Sequence, residues 1–206
     1  MRKWVILMVL AVLGAPVQGE TVYFLVGEKV PFHNDCYVLP LDYPFFIDYA
    51  RELIEYGTGE YGTIVVATIY RWEGEGMNIN RNYLKPGLAA WSWAVIFDGF
   101  AEVTVEICDG WPGWLEDEPG GWPTGSQICF WDYTVVAELG TNLEPWFCNL
   151  DADDDVDFDD FAMFAEQWGQ SGCGHRYWCD GADLDGSGTV DGKDLAMFAE
   201  NWLWGN

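Results

Sequence analysis

The chain has 206 residues, half of them apolar and 17% aromatic, and nine Lys and Arg face 34 Asp and Glu for a formal charge of −25. That balance excludes a disordered acidic tail and a bare membrane protein. The acidic bias repels phosphate backbones and anionic head groups, so it argues against nucleic acid and leaves cations or basic protein surfaces as partners for clustered carboxylates.

At the start of the chain, Arg2 and Lys3 precede an apolar run from Trp4 to Ala15, and Val17 and Gly19 lie three and one places before Glu20. This predicts a secretory signal, residues 1–19, cut ahead of Glu20. The run is too short to anchor across about 30 Å of hydrocarbon, and nothing later approaches about 20 uninterrupted apolar residues. The mature chain is expected to be secreted or extracytoplasmic, with no membrane span. Six cysteines lie beyond the cut, an even count that suits disulfides in an oxidising compartment. Cys173 and Cys179 close a short loop and Cys108 and Cys129 bound strand-like runs, so these are the preferred pairs. Pairing of the remaining Cys36 with Cys148 would tie the two halves of the chain together.

Residues 20–145 read as α+β, a sheet with one helix packed on it. Strands are expected at Thr21–Val26, Cys36–Leu39, Thr63–Tyr70, Trp91–Phe97, Ala101–Ile107 and Ile128–Glu138. The helix takes Asp42 as N-cap and Pro44 in its first turn. Phe45, Phe46, Tyr49, Ala50, Leu53 and Ile54 form its apolar face, and Gly57 ends it. No serine-hydrolase, zinc-protease, CxxC or dinucleotide motif is present, and His33 reads as a loop residue. Glu102 and Glu106 share a strand face near Asp109, which fits a wet strand surface before it fits a glycosidase pair. Trp91 and Trp93 share a face, with Trp111, Trp114, Trp122 and Trp131 downstream. These tryptophans are core material first and a carbohydrate platform second. Arg81 and Lys85 either pair with nearby acids or hold an anionic ligand group. Loops 74–86 and 109–126 would carry a ligand trap.

The C-terminal region repeats itself. NLDADDDVDFDDFAMFAEQW from Asn149 aligns with DLDGSGTVDGKDLAMFAENW from Asp183, a period of 183 − 149 = 34 residues. Each copy places oxygen-bearing residues at alternate positions, Val at the eighth and Asp at the twelfth, and then runs into an amphipathic helix. This is EF-hand-like spacing, in which a tightly curled loop supplies a hard cation with oxygens at about 2.3–2.6 Å. Two Ca²⁺ sites are expected. The first uses Asn149, Asp151, Asp153, the carbonyl of Asp155, Asp157 through a water, and Asp160 as a bidentate carboxylate. The second uses Asp183, Asp185, Ser187, the carbonyl of Thr189, Asp191 and Asp194. Gly188 supplies the sharp turn that Asp154 supplies only under strain, which makes the first site the weaker one. Val156 and Val190 would join the loops by short β contacts. Phe161, Phe164, Ala165 and Trp168, and likewise Leu195, Phe198, Ala199 and Trp202, fall on one helical face and are expected in the core.

Loop spacing, closing Asp, Val at position eight and duplication together resemble a dockerin over residues 147–204. That resemblance implies a small all-α domain, residues 146–206, of two calcium loop-helix repeats, binding a cohesin-like or cell-surface protein partner. Positions ten and eleven hold Phe158 with Asp159 and Gly192 with Lys193, where dockerins often carry a Ser/Thr pair. The stretches NRNYL, WSWAV, FAEVTVEICDGWP and ICFWDYTVVAEL resemble a secreted family related to the N-terminal domain of an amoebal calmodulin-binding-type protein, over most of residues 21–139. The resemblance also implies a Cys108–Cys129 pair. The chain is therefore expected to be a secreted, non-catalytic binding or structural protein whose calcium-binding tail mediates attachment or assembly. A dockerin-bearing polysaccharide hydrolase is the alternative.

Overall fold

The computed structural model describes residues 19–30, 32–57, 62–71, 79–87, 90–102, 108, 110–153, 155–174 and 178–205. The leader up to residue 18, Glu106, Asp109 and Asp154 lie outside the described residues, as do residues 72–78.

Six strands form two three-stranded antiparallel sheets rather than the one sheet expected. In the first, β1 (Val22–Glu28) lies between β2 (Cys36–Leu41) and β6 (Tyr133–Gly140); in the second, β3 (Thr63–Arg71) lies between β4 (Trp93–Glu102) and β5 (Gln127–Ile128). The run Ile128–Glu138 is not one strand. A turn closed by Tyr133 N–H on the Phe130 carbonyl at 3.2 Å breaks it, so β5 completes one sheet and β6 the other. Conversely, the run from Trp91 and the run from Ala101 belong to one strand, β4. It carries an irregularity at Asp98, where the register slips between Val66 and Ala67 of β3. Pro40 is accommodated inside β2 because β2 is an edge strand.

β1 and β2 read as unbroken apolar runs because the first sheet is buried on both faces. Val22, Phe24, Val26, Tyr37, Leu39 and Leu41 face the second sheet, where they meet Val65, Ile69, Trp93 and Val95. The alternate residues Leu25, Cys36 and Val38 face the other way, into a core with Phe147, Leu150, Val156, Phe164 and Phe198. The C-terminal region thus shares a buried core with the sheet.

Helix α1 (Pro44–Tyr56) buries Ile47, Ala50 and Leu53 in the first core, and Phe46 and Tyr49 pack against it. Its N-cap is Tyr43, not Asp42, with no side-chain cap bond. The residue before a proline is driven to extended backbone, which is the conformation an N-cap needs. Phe45 is 74% exposed and Ile54 38%, so both leave the expected apolar face. A short helix, α2 (Pro112–Asp117), follows Trp111.

Cys108–Cys129 and Cys173–Cys179 are disulfides. Cys36 and Cys148 are buried free thiols, not a third bridge. Each has its own partner: the Cys36 thiol donates to Asn82 Oδ1 at 3.2 Å, and the Cys148 thiol approaches the Met197 carbonyl at 3.8 Å. Burial pushes both thiols up to about 12.

Helices α3 (Glu144–Cys148), α4 (Phe158–Glu166) and α5 (Gly192–Glu200) carry the C-terminal region. Val156 and Val190 are buried, but they do not pair with each other. Val156 N–H donates to the Trp204 carbonyl and Leu203 N–H to the Val156 carbonyl, both at 2.9 Å. In the other half, Val190 N–H donates to the Gln170 carbonyl at 3.0 Å and Gly169 N–H to the Val190 carbonyl at 3.1 Å. Each loop is therefore clipped to the segment that follows the other loop's helix, an arrangement that repeats at the sequence period. Among the described residues no helix is long and apolar enough to cross a membrane.

Candidate metal centre

Both duplicated loops are organised around their closing aspartate. Asp160 and Asp194 are fully buried at the third position of α4 and α5, where each completes a capping box with Asp157 or Asp191. Asp160 Oδ1 accepts the N–H groups of Leu150 at 2.5 Å and Asp151 at 3.1 Å, and Oδ2 accepts that of Asp157 at 2.8 Å. Asp194 repeats the set, with Oδ1 taking Leu184 at 2.8 Å and Asp185 at 3.2 Å, and Oδ2 taking Asp191 at 2.8 Å. The first residue of each loop also behaves alike: Asn149 Oδ1 accepts Asp153 N–H at 3.1 Å and Asp183 Oδ1 accepts Ser187 N–H at 3.0 Å. Gly188 N–H adds a bond to Asp183 Oδ2 at 2.8 Å, and φ is +90° at this turn, the conformation that favours glycine.

Oxygens of Asp155, Asp157 and Asp160 lie within 4.8 Å of one another, as do oxygens of Asp183, Asp185 and Asp194. In the first loop the Asp155 side chain joins the group, where its carbonyl was expected. Asp151, Asp153 and Asn149 surround that group without joining it. In the second loop Ser187 Oγ turns to the Thr189 carbonyl at 3.3 Å, and Asp191 Oδ1 caps α5 through Lys193 N–H at 2.8 Å.

The electrostatics of the loops are unbalanced. Burial, then the charges of Asp160 and Asp153, push Asp151 up to about 6. Burial also raises Asp183 to about 6, with Asp194 and Asp185 adding to it against the opposing N–H bonds of Gly188 and Ser187. Asp151 Oδ1 is buried without a hydrogen-bond partner. Among the ion pairs of the described residues, only Lys193 reaches a loop carboxylate, Asp185, at 3.9 Å. Converging hard oxygens with unmet negative charge, and no His or Cys among them, suit a hard divalent cation and offer nothing to a soft one.

The expected helical stripe is core only in part. Phe164 and Phe198 are buried, whereas Phe161, Trp168 and Leu195 are 39%, 52% and 38% exposed. The buried face turns instead toward Asp160 and Met163, and toward Asp194 and Met197, because the closing aspartate must face its loop.

In the N-terminal region the candidate ligand-binding residues are structural. Trp91 and Trp93 are 3% and 0% exposed, so they form no sugar platform; the Trp91 indole N–H donates to the Cys36 carbonyl at 2.8 Å. Trp111, Trp114 and Trp122 pack on one another, and Trp131 is 43% exposed. Arg81 is wholly buried, and Lys85 pairs with Asp35. His33 Nδ1 lies 2.7 Å from Glu28 Oε1 and its ring stacks on Trp111 at 4.4 Å. Glu28 gathers the N–H groups of Phe32, His33 and Asn34, which outweigh its burial and lower its pKa. Glu102 is in β4, but Glu106 and Asp109 are outside the described residues.

The asparagines of NRNYL were not singled out individually, and they hold the sheets together. Asn80 Oδ1 accepts Val38 N–H from β2 at 2.9 Å, while its Nδ2 donates to the Trp93 carbonyl of β4 at 2.6 Å. Asn82 ties Cys36, Asp35 and Leu84. Residues 20–142 match the family model described as the BP-74 N-terminal domain. The chain belongs to this family. The buried NRNYL segment and the Cys108–Cys129 bridge both fall inside the matched family domain, and the two acidic loops fall outside it. No curated protein and no solved structure matches the chain.

Proposed function

We propose that this is a secreted, non-catalytic binding or structural protein in which a calcium-stabilised, dockerin-like C-terminal module attaches the N-terminal family domain to a protein partner. The leader pattern of residues 1–19 and the two disulfides support export. The module spans residues 146–206 and the domain residues 20–145. The observation that carries the calcium reading is the repetition, in both loops, of one buried closing aspartate holding three backbone N–H groups beside other carboxylates. The partnerless buried Asp151 Oδ1 adds to it. Asn149, Asp151, Asp153, Asp155, Asp157 and Asp160 would hold one Ca²⁺, and Asp183, Asp185, Ser187, Thr189, Asp191 and Asp194 the other.

Bound calcium would cancel like-charge repulsion and order the loops, coupling metal to folding. The partner is a cohesin-like or cell-surface protein. No specific observation favours the hydrolase alternative, and the buried Trp91 and Trp93 remove its proposed sugar platform. Calorimetry on the full chain should give two calcium ions bound per molecule, and chelation should reduce helicity. The full chain should retain a partner from secreted and envelope fractions only when calcium is present. An unchanged circular dichroism spectrum with chelator sinks the calcium reading, and calcium-independent retention sinks the docking role.

A further inference from the structure

The edges of the two sheets face each other along β2 and β4, and the gap between them is filled in two different ways. At one end it is closed by side chains. The Trp91 indole donates to the Cys36 carbonyl, and the Asn80 amide accepts from Val38 and donates to Trp93. Asn80 therefore presents to both edges the C=O and N–H that a peptide group of an intervening strand would present. Two residues further along each strand this side-chain filling stops, and a groove of about 470 Å³ opens between Pro40, Leu41 and Asp42 on one wall and Val95, Phe97 and Asp98 on the other.

Strand backbone groups repeat every two residues. Val38 and Trp93 turn their backbones away from β1 and β3 to meet Asn80, so Pro40 and Val95, next in phase, turn theirs into the groove. Pro40 has no N–H, so that wall offers only an acceptor, while Val95 offers both groups. The charge of the groove has one sign. Asp98 is exposed and held by Thr68 Oγ1 at 2.8 Å and Gln127 Nε2 at 2.9 Å, both through Oδ2. Asp42 lies opposite, and no Lys or Arg lines the groove.

We infer that the groove between β2 and β4 binds one extended, basic peptide segment of another protein by strand addition, continuing the line that the Asn80 amide begins. Main-chain bonds to Val95 and Pro40 would give affinity, and Asp42 and Asp98 would select Lys or Arg side chains. The site lies in the N-terminal family domain and is independent of calcium in the C-terminal loops.

The probe is a capped hexapeptide of alternating lysine and valine, titrated into the full ¹⁵N-labelled chain. Controls are its N-methylated form, a glutamate–valine counterpart and cellohexaose. The lysine peptide should shift the amides of residues 41–42 and 95–98 and slow exchange of the Val95 amide. N-methylation and Asp98→Asn should each weaken binding about tenfold, the size of one lost charge-assisted or main-chain bond. The glutamate peptide should not bind. Equal binding of the N-methylated peptide, shifts elsewhere on the surface, no binding of the lysine peptide at millimolar concentration, or occupation of the groove by cellohexaose instead would each overturn the inference.

Discussion

The guanidinium carbon of Arg81 lies 4.6 Å from the ring centroid of Phe147, and both side chains are buried. Arg81 comes from the NRNYL segment of the N-terminal family domain and Phe147 from α3, so a cation from one region is covered by an aromatic ring at the start of the other. Trp178 flanks the same guanidinium at 6.0 Å. Burial lowers the arginine's pKa and the nearby Asp183 opposes that shift, which links the buried cation electrostatically to the second acidic loop.

Arg81→Ala should therefore cost about 3 kcal/mol in urea unfolding, the usual scale for emptying a buried, interacting site. Arg81→Lys should also destabilise, by about 1–2 kcal/mol, because an ammonium cannot lie flat between two aromatic faces. Native stability in the lysine variant would show that charge alone is needed.

A second close approach joins the same two regions through backbone. Gly181 has φ +84°, and a Cβ there would come within 3.0 Å of Leu150 Cδ2 and 3.2 Å of the Gly87 carbonyl. Gly169 has φ +78° and open space around it. Gly169→Ala should cost about 1 kcal/mol from backbone strain alone, and Gly181→Ala about 2–3 kcal/mol from strain plus overpacking. Thermal unfolding of the pair isolates the contact, and equal losses would mean that Gly87 and Leu150 give way freely.

Local signals in the sequence predicted local features well. The Pro44 helix start, the two disulfides and the doubled loops follow from nearby residue chemistry, and the structure contains a helix, bridges and repeated loops at those places. What depends on distant packing was hidden. Nothing near Ile128 says that β5 and β6 enter different sheets, and nothing beside Arg81 announces the Phe147 ring that buries it. The Val156 pairing was misread for a related reason: the 34-residue period identifies equivalent positions, but not whether equivalent residues meet each other or each other's following segments. The unbroken apolar runs of β1 and β2 did carry a signal for a sheet buried on both faces, since a sheet wet on one side would alternate.

Asp160 and Asp194 each hold three backbone N–H groups, and an amide in the same place keeps only one oxygen to do so. Asp160→Asn and Asp194→Asn should each reduce calcium binding from two ions to one in calorimetry, with the other site retained. Loss of both ions from either single variant would show that the loops fold as one unit through the Val156 and Val190 clips.

The metal-free chain should respond to pH in the opposite sense from the calcium-loaded one. Asp151 and Asp183 stand near 6 when folded, against 3.8 for an unperturbed aspartate, so the folded chain holds the proton more tightly than the unfolded chain. The stabilisation from protonating them is complete below about 3.8 and is lost as pH rises through about 6. Between pH 7 and pH 5 the unfolding temperature of metal-free protein should therefore rise from these two groups as acid is added. With calcium present, the same protons compete with the metal for the same oxygens, so acid should lower the unfolding temperature. The gap between the two curves should be widest near neutrality and close toward pH 5. Parallel curves across that range would mean that the crowded carboxylates of the loops do not bind the ion.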